Sequence, residues 1–515
     1  MRSRESGGLA GHAATPSASR RRDRGRARAV LAILVAAALV VPTPASLAEG
    51  PTPPGPEFTG KPPEYASAFA AKEICSRVFI AKRDPAPIVN DLRGISVLAL
   101  GFAIDLADIQ IDREQQMVTV HQIGYPPRSA VRAEDNGCVI LPAYDGSLHF
   151  KPRGIPWTGS PASAPWPVGE RVWQGKSRID RLLLDAALEA YIRRPGTRGV
   201  VVVHKGELVG ESYAPGFGPF TQQRSWSTAK SLTASLVGLL VDRGKLHLDE
   251  RPPLLHEWDR DQRRKITLRQ LLNMSSGLKQ NQFEGTERSL ETFTPQNQHA
   301  FIYFDGFDTY ADALKAPLEV PPGTRWQYRN ANVLSVAAAM RRVLALDHQD
   351  FSTWAQRNLL EPLGMRHTTL ETDPYGQFIA SGTAFTTARD LARLGLLYRQ
   401  NGRWEGRQFL SEGWVRFVRA PAPTAPHYGG FWWINYKRQA FSSLPEDTFY
   451  ASGAFGQNVL VVPSYDLVIA RMGWNVPDDN AGLNAFALAA LLAVERGEAT
   501  RLLAGVPSAV SLDGR

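Results

Sequence analysis

The sequence predicts an α+β fold: one antiparallel sheet flanked by helices, with a helical subdomain. Three observations carry it. An early strand pair runs Gly199 to His204 and Glu207 to Tyr213 around Lys205-Gly206. A late pair runs Gln457 to Val462 and Leu467 to Met472 around Pro463-Ser464-Tyr465-Asp466. Between them, helix-friendly sequence dominates from Ser227 to about Gln400. β-branched runs bounded by tight turns read as hairpins. Strands at both ends with helices between imply one sheet closed by the two terminal segments, with helices packed on it.

In chain order, residues 1–48 stand apart. Arginines crowd Arg20 to Arg28, Ala29 to Val41 is apolar, and Ser46-Leu47-Ala48 offers the small residues of a cleavage site, the pattern of an export signal. The apolar run is shorter than the roughly 20 residues of a transmembrane helix. Cleavage and secretion, or release to a periplasm, are expected; an uncleaved anchor is the alternative. No later stretch is long and apolar enough to span a membrane. The 515 residues, 43% hydrophobic and 21% charged, fit a folded soluble protein larger than one ordinary domain. Of the net charge of +9, the signal holds +6 (eight arginines against Glu5 and Asp23), leaving about +3. With no interleaving of basic and aromatic residues, this is no nucleic-acid binder.

Residues 49–170 form an N-terminal region. A proline-rich lead-in reaches residue 64, short strands such as MVTVHQI follow, Asp135-Asn136-Gly137 makes a turn, and Gly154 to Pro167 reads as a linker or an extended strap. Its two cysteines, Cys75 and Cys138, are expected to pair in an oxidising compartment, at a gain of roughly 4 kcal/mol in the chain-entropy model. Two buried thiols are the alternative. Neither cysteine sits beside a histidine at a metal-ligand spacing, and no two histidines stand at i and i+4, so no metal is expected. Nor is any cofactor, since no phosphate loop occurs. The main domain, 171–500, opens with the helix IDRLLLDAALEAYIRR and closes with AGLNAFALAALLAVERG, and 501–515 reads as a tail.

The chemistry centres on Ser227-Thr228-Ala229-Lys230. Residues at i and i+3 on a helix face the same way, so a hydroxyl and an amine lie one turn apart. A serine needs such a base within hydrogen-bond reach to become a nucleophile. The following run to Arg243 is apolar, with Gly244 where a C-terminal cap belongs, so Ser227 would open a buried helix, near the positive end of its dipole. The bland reading is a capping serine with a solvated lysine. A second copy, Ser276-Gly277-Leu278-Lys279, has glycine inside it and follows the end of ITLRQLLNM, so it reads as a turn without fixed geometry. Asp249-Glu250 and Glu257 with Asp259 read as solvated loop carboxylates. Trp432 and Trp433 in GGFWWINY are expected to pack the sheet, with lining a pocket as the alternative.

Together with HKGELVGESYAPG, SWSTAKSLTASLVGLL, ITLRQLLNMSSGL, PPGTRWQYRN, ARDLARLGLLY and FGQNVLVVPSYDLVIARMG, in that order over about residues 178 to 495, this motif makes the chain similar to the penicillin-recognising serine hydrolases. That broad family takes in class C β-lactamases, D-alanyl-D-alanine peptidases, esterases and 6-aminohexanoate-dimer hydrolases. The resemblance implies a β-lactamase/transpeptidase-like fold, Ser227 as the acylated nucleophile, Lys230 as its base and Tyr328 as a proton shuttle to the leaving group. Asn330 would donate to the substrate carbonyl or hold Lys230. The third motif departs from the family pattern, since Tyr450-Ala451-Ser452-Gly453-Ala454 has no lysine or histidine before its glycine. Backbone N–H groups of Ser227 and Ala454, beside Gly453, would still form an oxyanion hole. Without a cation to recognise carboxylates, the expected substrate is a small amide or ester, of the 6-aminohexanoate-dimer type. A D-alanyl-D-alanine carboxypeptidase or β-lactamase, and a non-catalytic peptidoglycan-binding envelope protein, are the alternatives. The oligomeric state stays open.

Overall fold

The computed structural model describes residues 62–93, 104–172, 177–279, 302–304, 306–475 and 479–504. The segment expected to be an export signal, most of the proline-rich lead-in and residues 505–515 lie outside these. The described residues fall in one compact unit.

Six antiparallel strands make the main sheet, in the order β12-β13-β14-β15-β5-β6. They are β5 (Thr197–His204), β6 (Glu207–Tyr213), β12 (Trp433–Ile434), β13 (Phe449–Gly453), β14 (Gln457–Val462) and β15 (Leu467–Gly473). The early and late hairpins therefore meet, with Val202 opposite Ile469, as the sequence pattern implies. Lys205 and Gly206 both have positive φ, 52° and 83°, the conformation a two-residue hairpin requires.

Strand periodicity splits the buried valines between two cores. Val200 and Val202 join Leu460 and Ile469 under α3 (Arg181–Ile192) and α7 (Asn480–Ala504). Val201 and Val203 join Val459 and Val468 on the opposite face, against α4 (Thr228–Asp242) and α6 (Ala388–Arg399). Each fully buried aliphatic side chain contributes about 1.5–3 kcal/mol, so the central strands are the best anchored part of the fold. Helix α7 continues to Ala504, four residues into the segment expected to be a tail.

The helical subdomain includes α5 (Asn330–Leu346). A small sheet accompanies it, β7 (Gln223–Arg224), β9 (Ala384–Thr386) and β8 (Thr369–Leu370) in that order, which the sequence did not announce. Its strands are only two or three residues long, too short for an alternating pattern to register.

In the N-terminal region, α1 (Pro62–Cys75) packs on an antiparallel meander of β1 (Ala107–Asp112), β2 (Met117–Gln122), β3 (Arg128–Arg132) and β4 (Cys138–Ile140). A second helix, α2 (Pro85–Arg93), follows α1. Cys75 and Cys138 form the expected disulfide, with Cα atoms 6.0 Å apart and a separation of 63 residues. The stretch from Gly154 to Pro167 is a strap. Thr158 donates through its N–H and hydroxyl to the Glu361 carboxylate at 2.9 and 2.7 Å, and Arg393 donates to the Pro167 and Gly169 carbonyls at 2.6 and 2.7 Å. A charged anchor every few residues holds it down without regular structure.

Candidate active site

Strand β7 runs directly into the helix that carries the Ser-x-x-Lys motif. The Ser225 N–H donates to the Ala384 carbonyl at 2.7 Å, extending the β7–β9 ladder by one residue. Trp226 then turns the chain with φ of 48°, a left-handed conformation rare for a bulky residue. Its indole is held by Phe455 (5.0 Å between ring centroids), Tyr303 (6.0 Å), Phe69 (6.3 Å) and Phe304 (6.4 Å).

Ser227 follows at the N-cap of α4, where its side chain makes no capping hydrogen bond. The capping reading therefore fails, and the hydroxyl is left for other chemistry. Ser227 is half-buried between buried neighbours on both sides. Its Oγ accepts from Lys230 Nζ at 3.0 Å, and Lys230, only 2% exposed, also donates to the Ser381 carbonyl at 2.7 Å. Helix α4 is buried along nearly its whole length and ends before Gly244, at φ 67°.

Tyr328 brings its ring centroid to 4.8 Å from Lys230 Nζ. It stacks on Trp433 at 5.5 Å, which separates the two adjacent tryptophans. Trp432 is fully buried, in keeping with sheet packing, whereas Trp433 is half-exposed against Tyr328, Trp326 and His427. Trp433 packs against the core as expected and also faces Tyr328. Adjacent strand residues point to opposite faces. The wall they form carries little charge, because burial pushes His427 below its usual pKa and the Tyr428 phenol well above its own, the latter aided by Tyr328.

Asn330, fully buried at the start of α5, hydrogen-bonds the Tyr303 hydroxyl. Tyr303 donates to Ser381 Oγ at 3.2 Å, and the Ser381 carbonyl receives Lys230. Asn330 thus connects to the lysine through Tyr303 and Ser381. Sequence reasoning found neither intermediary, because a lone tyrosine and a Ser-Gly-Thr carry no spacing signal of their own.

The end of β13 lies against Ser227. A Cβ added to Gly453 would lie 2.4 Å from the Ser225 carbonyl oxygen, 3.0 Å from Ser227 N and 3.1 Å from Thr228 N. Only glycine permits that approach. Ala454, the next residue, is exposed, and its carbonyl accepts from Gln457 Nε2 at 3.2 Å. The decoy copy is elsewhere engaged: Ser276 is buried and donates to Asn332 Oδ1, and Lys279 is exposed. The loop carboxylates pair with arginines at the surface, Asp249 with Arg269 at 2.6 Å and Glu257 with Arg342 at 2.7 Å.

The 6-aminohexanoate-dimer hydrolase of Paenarthrobacter ureafaciens is 26% identical over 317 residues, covering 56% of this chain and 76% of its own length. A solved structure from Bacillus anthracis, provisionally named 6-aminohexanoate-dimer hydrolase, superposes with a TM-score of 0.50 at 22% identity, over 61% of this chain and 82% of the other. A penicillin-binding protein homologue from Caulobacter crescentus gives a TM-score of 0.47 at 19% identity, over 61% and 96%. Residues 184–492, more than half of the chain and the part that holds Ser227, Lys230, Tyr328 and Gly453, match the family model described as Beta-lactamase. With its antiparallel sheet, helical subdomain and Ser-x-x-Lys helix, the chain belongs to the beta-lactamase family.

Proposed function

We propose that this chain is an exported serine hydrolase that cleaves a small amide or ester through an acyl-enzyme on Ser227. The 3.0 Å contact between Lys230 Nζ and a Ser227 hydroxyl released from capping carries the proposal. With Lys230 as the neutral amine, the hydrogen bond reverses and Ser227 donates. Lys230 then takes the hydroxyl proton as Oγ attacks the carbonyl carbon. The oxyanion would be met by the backbone N–H groups of Ser227 and of Ala454, the residue after Gly453, whose close approach to Ser227 N supports the pairing. Collapse breaks the bond to the leaving amine or alkoxide, which leaves protonated, the proton passing from Lys230 by way of Tyr328. Water then attacks the acyl-enzyme, its proton going to Lys230, and releases the acid and free Ser227.

The absence of a lysine or histidine before Gly453 argues for substrates without an obligatory carboxylate at that position. The half-exposed Trp433 and Tyr328 beside Lys230 favour the same neutral class. Likeness to a 6-aminohexanoate-dimer hydrolase supports a linear amide as the first compound to try. The test is mass spectrometry of the purified protein after incubation with short amides, p-nitrophenyl esters and a chromogenic cephalosporin. The expected result is an acyl adduct on the Ser227 peptide and faster turnover of amide or ester than of cephalosporin. An adduct on another residue refutes the mechanism, and faster cephalosporin turnover refutes the substrate class.

A further inference from the structure

Helix α1 lies outside the family-matched residues, yet it is buried against the segment that carries Ser227. Its Phe69 ring packs on Trp226, the residue before the nucleophile, and meets Phe304 edge-on at 4.8 Å. One turn on, Glu73 accepts from Arg224 Nε and pairs with Arg77 at 2.8 Å. Arg224 ends β7, three residues before Ser227, and also pairs with Glu371 at 3.1 Å. Glu371 in turn accepts from Ser76 Oγ at 2.5 Å and from the Cys138 N–H at 3.2 Å. Lys72, Glu73, Arg77, Arg224 and Glu371 are each at most 3% exposed.

The same segment reaches the other wall of the site. The Arg77 guanidinium sits 4.0 Å above the Trp474 ring, Trp474 stacks on Phe455 at 4.6 Å, and Phe455 follows Ala454. Trp474 also donates to the Asp91 carbonyl of α2 at 3.0 Å. Trp226 and Phe455 are both non-glycine residues with positive φ, 48° and 63°. Such conformations are costly and persist only where neighbours over-determine them. Helix α1 supplies a neighbour for Trp226, and the π-helical turn Ser76–Ile80 that continues it reaches Phe455 from Arg77 by way of Trp474.

We propose that α1 and the π-helical turn that continues it form a positioning element of the active site, with Phe69 and Glu73 of α1 setting the Trp226–Ser227 turn and Arg77 of the following turn, through Trp474, setting the turn at Ala454 and Phe455. This rests on Ser227 being the nucleophile. Displacing a reacting group by about 1 Å can cost 100-fold in rate, so loosening either turn should act on kcat and leave KM nearly unmoved.

The experiment uses full-length Phe69→Ala and Phe69→Leu, with Leu184→Ala in the opposite core as a destabilised control. For each folded protein, the rate of fluorophosphonate labelling of Ser227 and kcat and KM on a p-nitrophenyl ester are measured well below the melting temperature. Phe69→Ala should slow labelling and kcat about tenfold with KM within about twofold, Phe69→Leu about threefold, and Leu184→Ala not at all. Parent rates in the Phe69 variants overturn the inference; if Phe69→Ala does not fold, Phe69→Leu decides alone. A parent enzyme unlabelled on Ser227 refutes the nucleophile assignment and the inference with it, whereas a labelled parent with equally fast variants refutes the inference alone.

Discussion

Replacing Gly453 by alanine tests the site at its tightest point. The residue is extended, φ −135° and ψ 151°, so alanine adopts its backbone without strain and the effect is steric alone. The new methyl would lie 2.4 Å from the Ser225 carbonyl oxygen and about 3 Å from Ser227 N and Thr228 N, all backbone atoms that no rotamer change can move. Ordinary contacts begin near 3.4 Å, so β13 must retreat from the Ser225–Thr228 backbone by about 1 Å. A shift of that size, or the loss of one oxyanion donor, costs on the order of 100-fold in turnover. Overpacking adds about 1–3 kcal/mol of destabilisation. The assay is kcat/KM on a p-nitrophenyl ester alongside chemical denaturation, with Gly413→Ala, whose added Cβ meets nothing closer than 3.8 Å, as a control that keeps parent activity. A folded Gly453→Ala protein within threefold of parent kcat/KM would refute the placement of β13 as the oxyanion strand.

Three further outcomes follow from the geometry. Ser227→Ala should abolish fluorophosphonate labelling, while Ser276→Ala should label at the parent rate and lose about 1–3 kcal/mol, since it leaves Asn332 without its buried donor; labelling lost in the second variant would reverse the assignment. Replacing Cys75 and Cys138 together by serine should lower stability by about 4 kcal/mol, given the 63-residue separation. Equal denaturation midpoints for this variant and the parent would count against that value. Burial, with Lys205 beside it, holds His204 below its usual pKa of 6.5, and its Nδ1 lies 2.6 Å from Ser177 Oγ. The unfolded chain therefore binds more protons at acid pH, so this contribution is present above about pH 6.5 and lost as pH falls below it. Unfolding free energies at pH 7.5 and 5 should drop more in the parent than in His204→Gln, and an equal drop in both would contradict the assignment.

Much of the site could be read from the chain because its parts are local. Ser227 and Lys230 lie one turn apart, the two hairpins announce the sheet, and Gly453 follows a strand pattern. The support was not legible for the opposite reason. Lys72 and Glu73 in AFAAKEICSR look like the solvated face of a helix, and only the tertiary fold brings them to Arg224 and Glu371, some 150 to 300 residues away. The partners of Trp433 were not legible either, because its setting depends on Tyr328, on another element, and not on its neighbour Trp432. Periodicity reports which face of an element is apolar, not which distant charge will meet it.

A serine that capped its helix would tie catalysis to folding. Ser227 makes no such bond, so exchanging it for alanine removes no cap and takes from Lys230 one acceptor while leaving it the Ser381 carbonyl. Chemistry and architecture can then be lost separately in this scaffold. A lineage that lost Ser227 would still inherit the aromatic wall of Tyr328 and Trp433, open to reuse as a binding surface, and an inert Ser227→Ala protein should hold an uncleaved substrate long enough to be seen in place.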